Sequence, residues 1–170
     1  MLHKKLPTLS IKDLRADPAI IENIFFDAMS EGFANPETHA KTVSTKEGWR
    51  KAEYYMEQWA VVDEWQITPH SDFSIGSTLV RFDHVPVWGM QYWGRYEQNA
   101  IPFLKTALVE EYGKRRFTGG RGPVTFTAGD LHYANDVLEN GFCEFRGYEM
   151  IATSDSTRLG FHRYHGGLMI

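Results

Sequence analysis

Cysteine is almost missing: Cys143 stands alone, so no internal disulfide can form, and the chain reads as a resident of a reducing compartment. Positive charge is scarce too. Eighteen Lys and Arg against 22 Asp and Glu leave a net charge of −4, and the one basic run, Lys114-Arg115-Arg116, is too short to make an electrostatic footprint for nucleic acid. No apolar stretch approaches membrane-spanning length, and the N-terminus, MLHKKLPTLS, has basic residues without the apolar segment of a secretory signal. A Gly-x-Ser-x-Gly elbow, a Walker loop and a dinucleotide fingerprint are all absent. The expectation is a soluble, cytoplasmic protein with no cofactor, no nucleic-acid partner and no membrane partner; its oligomeric state stays open.

Aromatic residues, by contrast, are plentiful at 14%, with five Trp, eight Tyr and eleven Phe. That excess favours strands and aromatic-lined surfaces over a helical bundle. A chain of 170 residues fits one domain and buries well over half of its unfolded surface without help from a metal or disulfide.

Residues 1–9 read as a loose lead-in. A helix follows, with Asp17 as N-cap, Pro18 at the first helical position and Gly32 as a stop; Ile20, Ile21, Ile24, Phe25, Ala28 and Met29 form its apolar stripe. Residues 35–48 are polar and read as loop, and 49–67 should hold one irregular strand. Residues 70–94 read as two strands joined around Asp83-His84. A second helix spans about 99–112, with Asn99 as cap, Pro102 in its first turn, Phe103, Leu104, Ala107 and Leu108 as its stripe and Gly113 as its end. Thr118–Pro123 (TGGRGP) reads as a turn, and strands over about 124–137, 143–152 and 158–166 close the chain.

The order is thus helix then strands, twice. At an offset of 79, residues 24–34 lie over 103–113, so that Ile24 meets Phe103, Ala28 meets Ala107 and Glu31 meets Glu110. At an offset of 72, residues 73–94 lie over 145–166 without a gap: Phe73 meets Phe145, Tyr92 meets Tyr164 and Gly94 meets Gly166. A connection seven residues longer in the first half absorbs the difference. The pattern predicts an α+β fold: a duplicated unit of helix plus antiparallel strands, with halves at about 18–96 and 97–170, forming a single compact domain with a mostly antiparallel sheet. The seam between such halves is a natural cleft.

The runs Pro86-Val87-Trp88-Gly89-Met90-Gln91-Tyr92-Trp93-Gly94, Phe103-Leu104-Lys105-Thr106-Ala107-Leu108, Arg121-Gly122-Pro123, Phe145-Arg146-Gly147-Tyr148-Glu149-Met150-Ile151 and His165-Gly166-Gly167 resemble an uncharacterised bacterial domain family. The resemblance covers about residues 86–170. A Gly-x-Glu expected before Pro86 is missing, with Ile75 and Ser77 at the matching repeat positions. Some members of that family resemble appendages to helix-turn-helix regulators, but no such segment is found here, so a regulator role does not carry over. No activity is implied.

Glu149 is the most informative single residue. On a strand it shares a face with Phe145 and Ile151, and a carboxylate in that company is a candidate base or ligand anchor; the plainer alternative is an ion pair with an arginine such as Arg163 or Arg95. His162 and His165, three apart on a strand, fall on opposite faces, so together with His132 they are a weak metal signal and no metal site is expected. Trp88, Met90 and Tyr92 share a face, matched by Gly160, His162 and Tyr164 in the second half, which should make that half of the seam roomier and more polar. The candidate ligand-binding residues are Glu149, His162, Tyr164, Trp88, Tyr92 and Tyr133, and no residue is assigned a catalytic role. The expected function is a non-catalytic module that binds a small molecule or a protein partner at the seam. The alternative is a small enzyme using Glu149 with His162 or His132 as an acid–base pair.

Overall fold

The computed structural model describes residues 9–31 and 48–170. The lead-in up to residue 8, Gly32 and the polar loop up to residue 47 lie outside the described residues. A short helix, α1 (Ile11–Ala16), opens the described chain; Ser10 and Asp13 close its first turn as a reciprocal capping box. Sequence reading assigned no helix there, because six residues are too few to show a periodicity. α2 (Ala19–Glu31) follows, its first N–H bonded to Asp17 Oδ1, and it buries Ile21, Ile24, Phe25, Ala28 and Met29 of the expected stripe together with Phe26, while Ile20 is half-buried.

The segment 49–67 is not one strand but a hairpin, β1 (Trp49–Met56) and β2 (Trp59–Ile67), turning where Glu57 takes a positive φ of 51°. β3 (Phe73–Phe82) and β4 (Val85–Tyr96) turn at Asp83-His84, where two consecutive positive φ angles make the tight hairpin that suits strand twist. A 3₁₀ turn (Gln98–Ala100) leads into α3 (Ile101–Gly113), so Asn99 does not cap it; Ala100 stands at the cap without a side-chain bond. Gly113 is the last helical residue rather than a left-handed stop, and the chain reverses at Arg115, whose φ is 51°. The stretch 124–137 also divides, into β5 (Thr125–Ala128) and β6 (Leu131–Gly141) around Gly129. β7 (Glu144–Thr153) and β8 (Arg158–Leu168) complete an α+β fold with one antiparallel sheet of eight strands, ordered β1-β2-β3-β4-β8-β7-β6-β5.

β4 and β8 therefore meet at the centre of the sheet, with Tyr92 directly opposite Tyr164. Two residues on, Gly94 faces His162 and Gly166 faces Met90. Both glycines are needed for close approach: a Cβ at Gly94 would lie 2.0 Å from Phe161 O, and one at Gly166 2.1 Å from Gly89 O. Tyr92-Trp93-Gly94 and Tyr164-His165-Gly166 are thus the two sides of one central strand pairing.

α2 and α3 pack on each other and on one face of the sheet, here the inner face. Trp88 is wholly buried there, stacked between Phe142 and Phe145 with ring centroids 5.2 and 5.3 Å away, and its Nε1 donates to Phe142 O. Phe25 of α2 meets the same indole at 5.0 Å. Phe145 belongs to this core, but Phe73 does not: it stacks on exposed Trp93 and meets Phe161 edge-to-face on the opposite face. The gapless overlay of 73–94 on 145–166 therefore fails along β3 and β7. Face parity there requires an offset of 71, which puts Gly76 over Gly147, and the ring that covers each glycine agrees. A Cβ at Gly76 would sit 2.4 Å from the Tyr92 ring, and one at Gly147 2.2 Å from the Tyr164 hydroxyl.

Candidate functional site

Glu149 is fully buried on the inner face of β7. Its partner is neither Arg163 nor Arg95 but Arg121, from the loop between α3 and β5: Nε and Nη2 both donate to Glu149 Oε1, at 3.0 and 2.5 Å. Tyr133 Oη donates to the other oxygen at 2.6 Å, and His162 Nδ1 lies 3.5 Å from Oε1. Burial by itself would raise the Glu149 pKa; the Arg121 charge and the bonds from His162 and Arg121 outweigh it and hold the carboxyl well below the usual range. His162 shifts the other way. Burial, with Arg121 adding to it, lowers its pKa against the pull of Glu149, so the imidazole is neutral at neutral pH.

The loop that delivers Arg121 is a buried plug rather than a surface turn. Gly119 and Gly120 take positive φ angles of 63° and 67°, and a Cβ at Gly119 would meet the Tyr164 ring at 2.6 Å. Asn135 Nδ2 donates to the carbonyls of Thr118 and Gly122, at 3.1 and 2.9 Å, while Tyr164 Oη donates to Asn135 Oδ1 at 2.6 Å. Gly122 N–H donates to Tyr133 Oη. Under β5–β8, then, the inner face is filled by the chain's own backbone and its polar groups are paired.

Under β2–β4 the same construction is left open. Tyr92 Oη donates to Asp63 Oδ1 at 3.0 Å, as Tyr164 does to Asn135, and Thr78 Oγ1 donates to the same oxygen at 2.9 Å. Beside Asp63 lies a cavity of about 260 Å³, walled by Trp65, Tyr92, Tyr96, Ile101 and Leu104, with Arg121 and His162 at its inner end. His162 Nε2 is 3.3 Å from Ser74 Oγ at that wall. Burial raises the pKa of Asp63, opposed by its bonds from Thr78 and Tyr92 and by the charge on Arg121. Tyr96 Oη is buried without a hydrogen-bond partner among the described residues.

Of the six residues singled out in the sequence, Tyr92 and His162 line this cavity. Trp88 is core, and Glu149, Tyr133 and Tyr164 belong to the plugged cluster. The space expected above Gly160 is occupied: a Cβ there would lie 2.3 Å from the Tyr96 ring. His132 sits far from Glu149, its ring between Thr127 and Ser154 on the exposed side. His162 and His165 do fall on opposite faces, the first buried and the second exposed. Among the described residues no group of three or more His, Cys, Asp or Glu is placed to hold a metal ion. Asp63, Trp65, Tyr96 and Arg121 went unassigned as ligand residues. For Arg121 there was a signal, a lone arginine between glycines in a run that reads as a turn.

Residues 70–169 match the model of a family described as a domain of unknown function, DUF5680. The chain belongs to that family. The matched segment takes in β3–β8, α3 and the Arg121 plug, whereas Asp63 and Trp65 precede it, so the cavity of this DUF5680 chain is completed by strands outside the match. No curated protein and no solved structure matches the chain. No helix among the described residues is long and apolar enough to cross a membrane.

Proposed function

We propose that this protein is a non-catalytic binding module whose ligand is a small molecule held in the cavity beside Asp63. The observation that carries the reading is an aromatic-walled space of about 260 Å³ with an aspartate, an arginine and a histidine converging on it. Apolar walls with a few fixed polar groups are the usual make-up of a ligand site, and this volume suits something smaller than a drug-sized molecule. Against the acid–base alternative, Glu149 does not line the cavity, and its oxygens are held by Arg121 and Tyr133. The exposed, unpaired Cys143 suits a reducing cytoplasm.

We also read β1–β4 with α2 and β5–β8 with α3 as two copies of one unit. Support comes from Tyr92 facing Tyr164 across the central pairing and from the matched trios Tyr92, Asp63, Gly76 and Tyr164, Asn135, Gly147.

A thermal-shift screen of the purified protein against metabolites and nucleotides tests the binding reading, since a ligand that binds only the native state raises the melting temperature. The expected result is a hit that disappears in Ile101→Trp, a variant that fills the cavity wall. A screen whose hits all survive Ile101→Trp, or that yields none, counts against it. A second reading, a protein partner on the outer face, is favoured by exposed Ile75 and Trp93 beside Phe73 and Phe161.

A further inference from the structure

The polar groups at the cavity are unequally satisfied, and the imbalance points to one kind of ligand. Both hydrogen bonds that Asp63 receives, from Thr78 and Tyr92, end on Oδ1; among the described residues none ends on Oδ2. In the other half of the sheet the residue under the equivalent tyrosine is Asn135, and the atom in that place is an amide nitrogen, which donates to two carbonyls of the plug. Replacing the amide with a carboxylate turns a donor into an acceptor. What completes Asn135 is a backbone carbonyl; what completes Asp63 Oδ2 must bring an N–H or O–H.

Charge narrows the choice. Among the described residues Arg121 is the one buried cation, bonded to Glu149 and acting at longer range on Asp63. With His162 neutral, the cluster carries one excess negative charge. Arg50 and Asp72, the other charged residues on the wall, oppose each other in sign. Asp63 is half-buried, and a carboxylate partly withdrawn from water and short of a counter-charge is costly, so a cation from outside relieves it. The walls favour the same occupant. Tyr92, Tyr96 and Trp65 line the space, and the Tyr92 ring already receives the Arg121 guanidinium at 5.6 Å on one side.

We infer that the cavity binds a small organic cation: an apolar, flat body bearing an amidinium, guanidinium or protonated amine that donates to Asp63 Oδ2. This rests on the binding reading above and adds the class of ligand.

Isothermal titration of the full chain with benzamidine, phenylguanidine and tryptamine, and with benzamide and benzoate as neutral and anionic shapes of the first, tests it. At least one cation should bind wild-type protein, and benzamide and benzoate should bind at least about ten-fold more weakly than benzamidine or not at all. Asp63→Asn, which keeps the acceptor for Thr78 and Tyr92, should weaken that cation roughly 10- to 100-fold while the unliganded melting temperature stays near wild type. If that variant does not fold, Ile101→Trp should abolish binding of the same cation by filling the wall. No binding by any of the three cations, equal binding of benzamide or benzoate, or cation binding indifferent to a folded Asp63→Asn overturns the inference. Neutral or anionic hits from the broad screen that vanish in Ile101→Trp would then leave the cavity reading standing and remove only the cation; with no such hits, both fall.

Discussion

The inner face of the sheet carries one arrangement twice and finishes it in two ways. In each half a tyrosine from a central strand lies over a glycine and donates to an Asx side chain: Tyr164 over Gly147 to Asn135, Tyr92 over Gly76 to Asp63. In the second half a buried loop closes over this frame, and Arg121 neutralises Glu149. In the first half the frame opens on a cavity, and Thr78 stands where the other half has Glu149, each the register partner of its Asx residue. Moving the carboxylate from one strand to its neighbour separates a structural ion pair from a candidate ligand anchor. The frame is common to both halves; the difference between them is a filled space on one side and an open cavity on the other.

The comparison breaks most visibly at the plug. Arg121→Ala leaves Glu149 buried without its cation and should cost about 3–5 kcal/mol in urea denaturation. The double variant Arg121→Met with Glu149→Leu should recover most of that loss, because it removes both charges together. If Arg121→Ala alone were nearly neutral, the ion pair would not be the keystone of the second half.

Reciprocal exchange of the two Asx residues comes next. Asn135→Asp removes the donor to Thr118 and Gly122 and sets a second carboxylate opposite Glu149 in register, for an expected loss of about 2–4 kcal/mol. Asp63→Asn should change stability by less than about 1 kcal/mol, since it relieves a carboxylate with no counter-charge of its own and keeps the Oδ1 acceptor. Equal effects in chemical denaturation would mean that the halves are not differently finished.

Gly147→Ala and Gly76→Ala probe the shared frame. The first meets the Tyr164 hydroxyl and, at 2.8 Å, the backbone oxygen of Asp136; the three atoms nearest the second all belong to the Tyr92 side chain, its ring and hydroxyl. Overpacking of about 1–3 kcal/mol is expected for Gly147→Ala and less for Gly76→Ala, where the ring borders open space. Thermal melts of the two variants give the order directly.

The smallest effect is on pH. His162 has a folded pKa below its ordinary 6.5, so the unfolded chain takes up the proton first, and stability declines as pH falls from about 6.5. Glu149, also lowered, contributes stability that is present above about 4.5 and is lost as pH falls further. Asp63, raised by burial, opposes Glu149 in that lower range. His162→Gln should flatten the upper limb, by on the order of 1 kcal/mol between pH 7 and 5, and leave the lower one. An unchanged upper limb would show that the imidazole is not held neutral.

Much of the architecture was legible because periodicity reports burial. The stripes of α2 and α3 and the alternation along β4 and β8 are consequences of which side chains leave water, and Asp83-His84 marked its hairpin by turn chemistry. The slip of one residue along β3 and β7 was not legible, since both hairpins carry the same bulge and the slip arises in the turns, with four residues between paired Arg81 and Pro86 and five between paired Ala152 and Arg158. At the offset of 71, Gly76-Ser77-Thr78 lies over Gly147-Tyr148-Glu149, so the glycine has a counterpart and the glutamate has none. Glu149 stood out as a carboxylate on an apolar face, but its partner lies 28 residues away in a loop whose polar groups look solvent-facing until Asn135 and Tyr133 are placed against them. Asp63 offered less still. It sits in a strand that read as irregular, and only the hairpin β1–β2 turns it inward.

The cavity reading meets its most direct test in a methyl-labelled NMR titration with the strongest hit of the thermal screen. The account predicts that the δ-methyls of Ile101 and Leu104 and the ring of His162 shift to saturation together, while Ile151, deep under the plugged half, stays put. Saturable binding that moves Ile75 on the outer face and leaves Ile101 and Leu104 unmoved would contradict it, and would hand the function to the other side of the sheet.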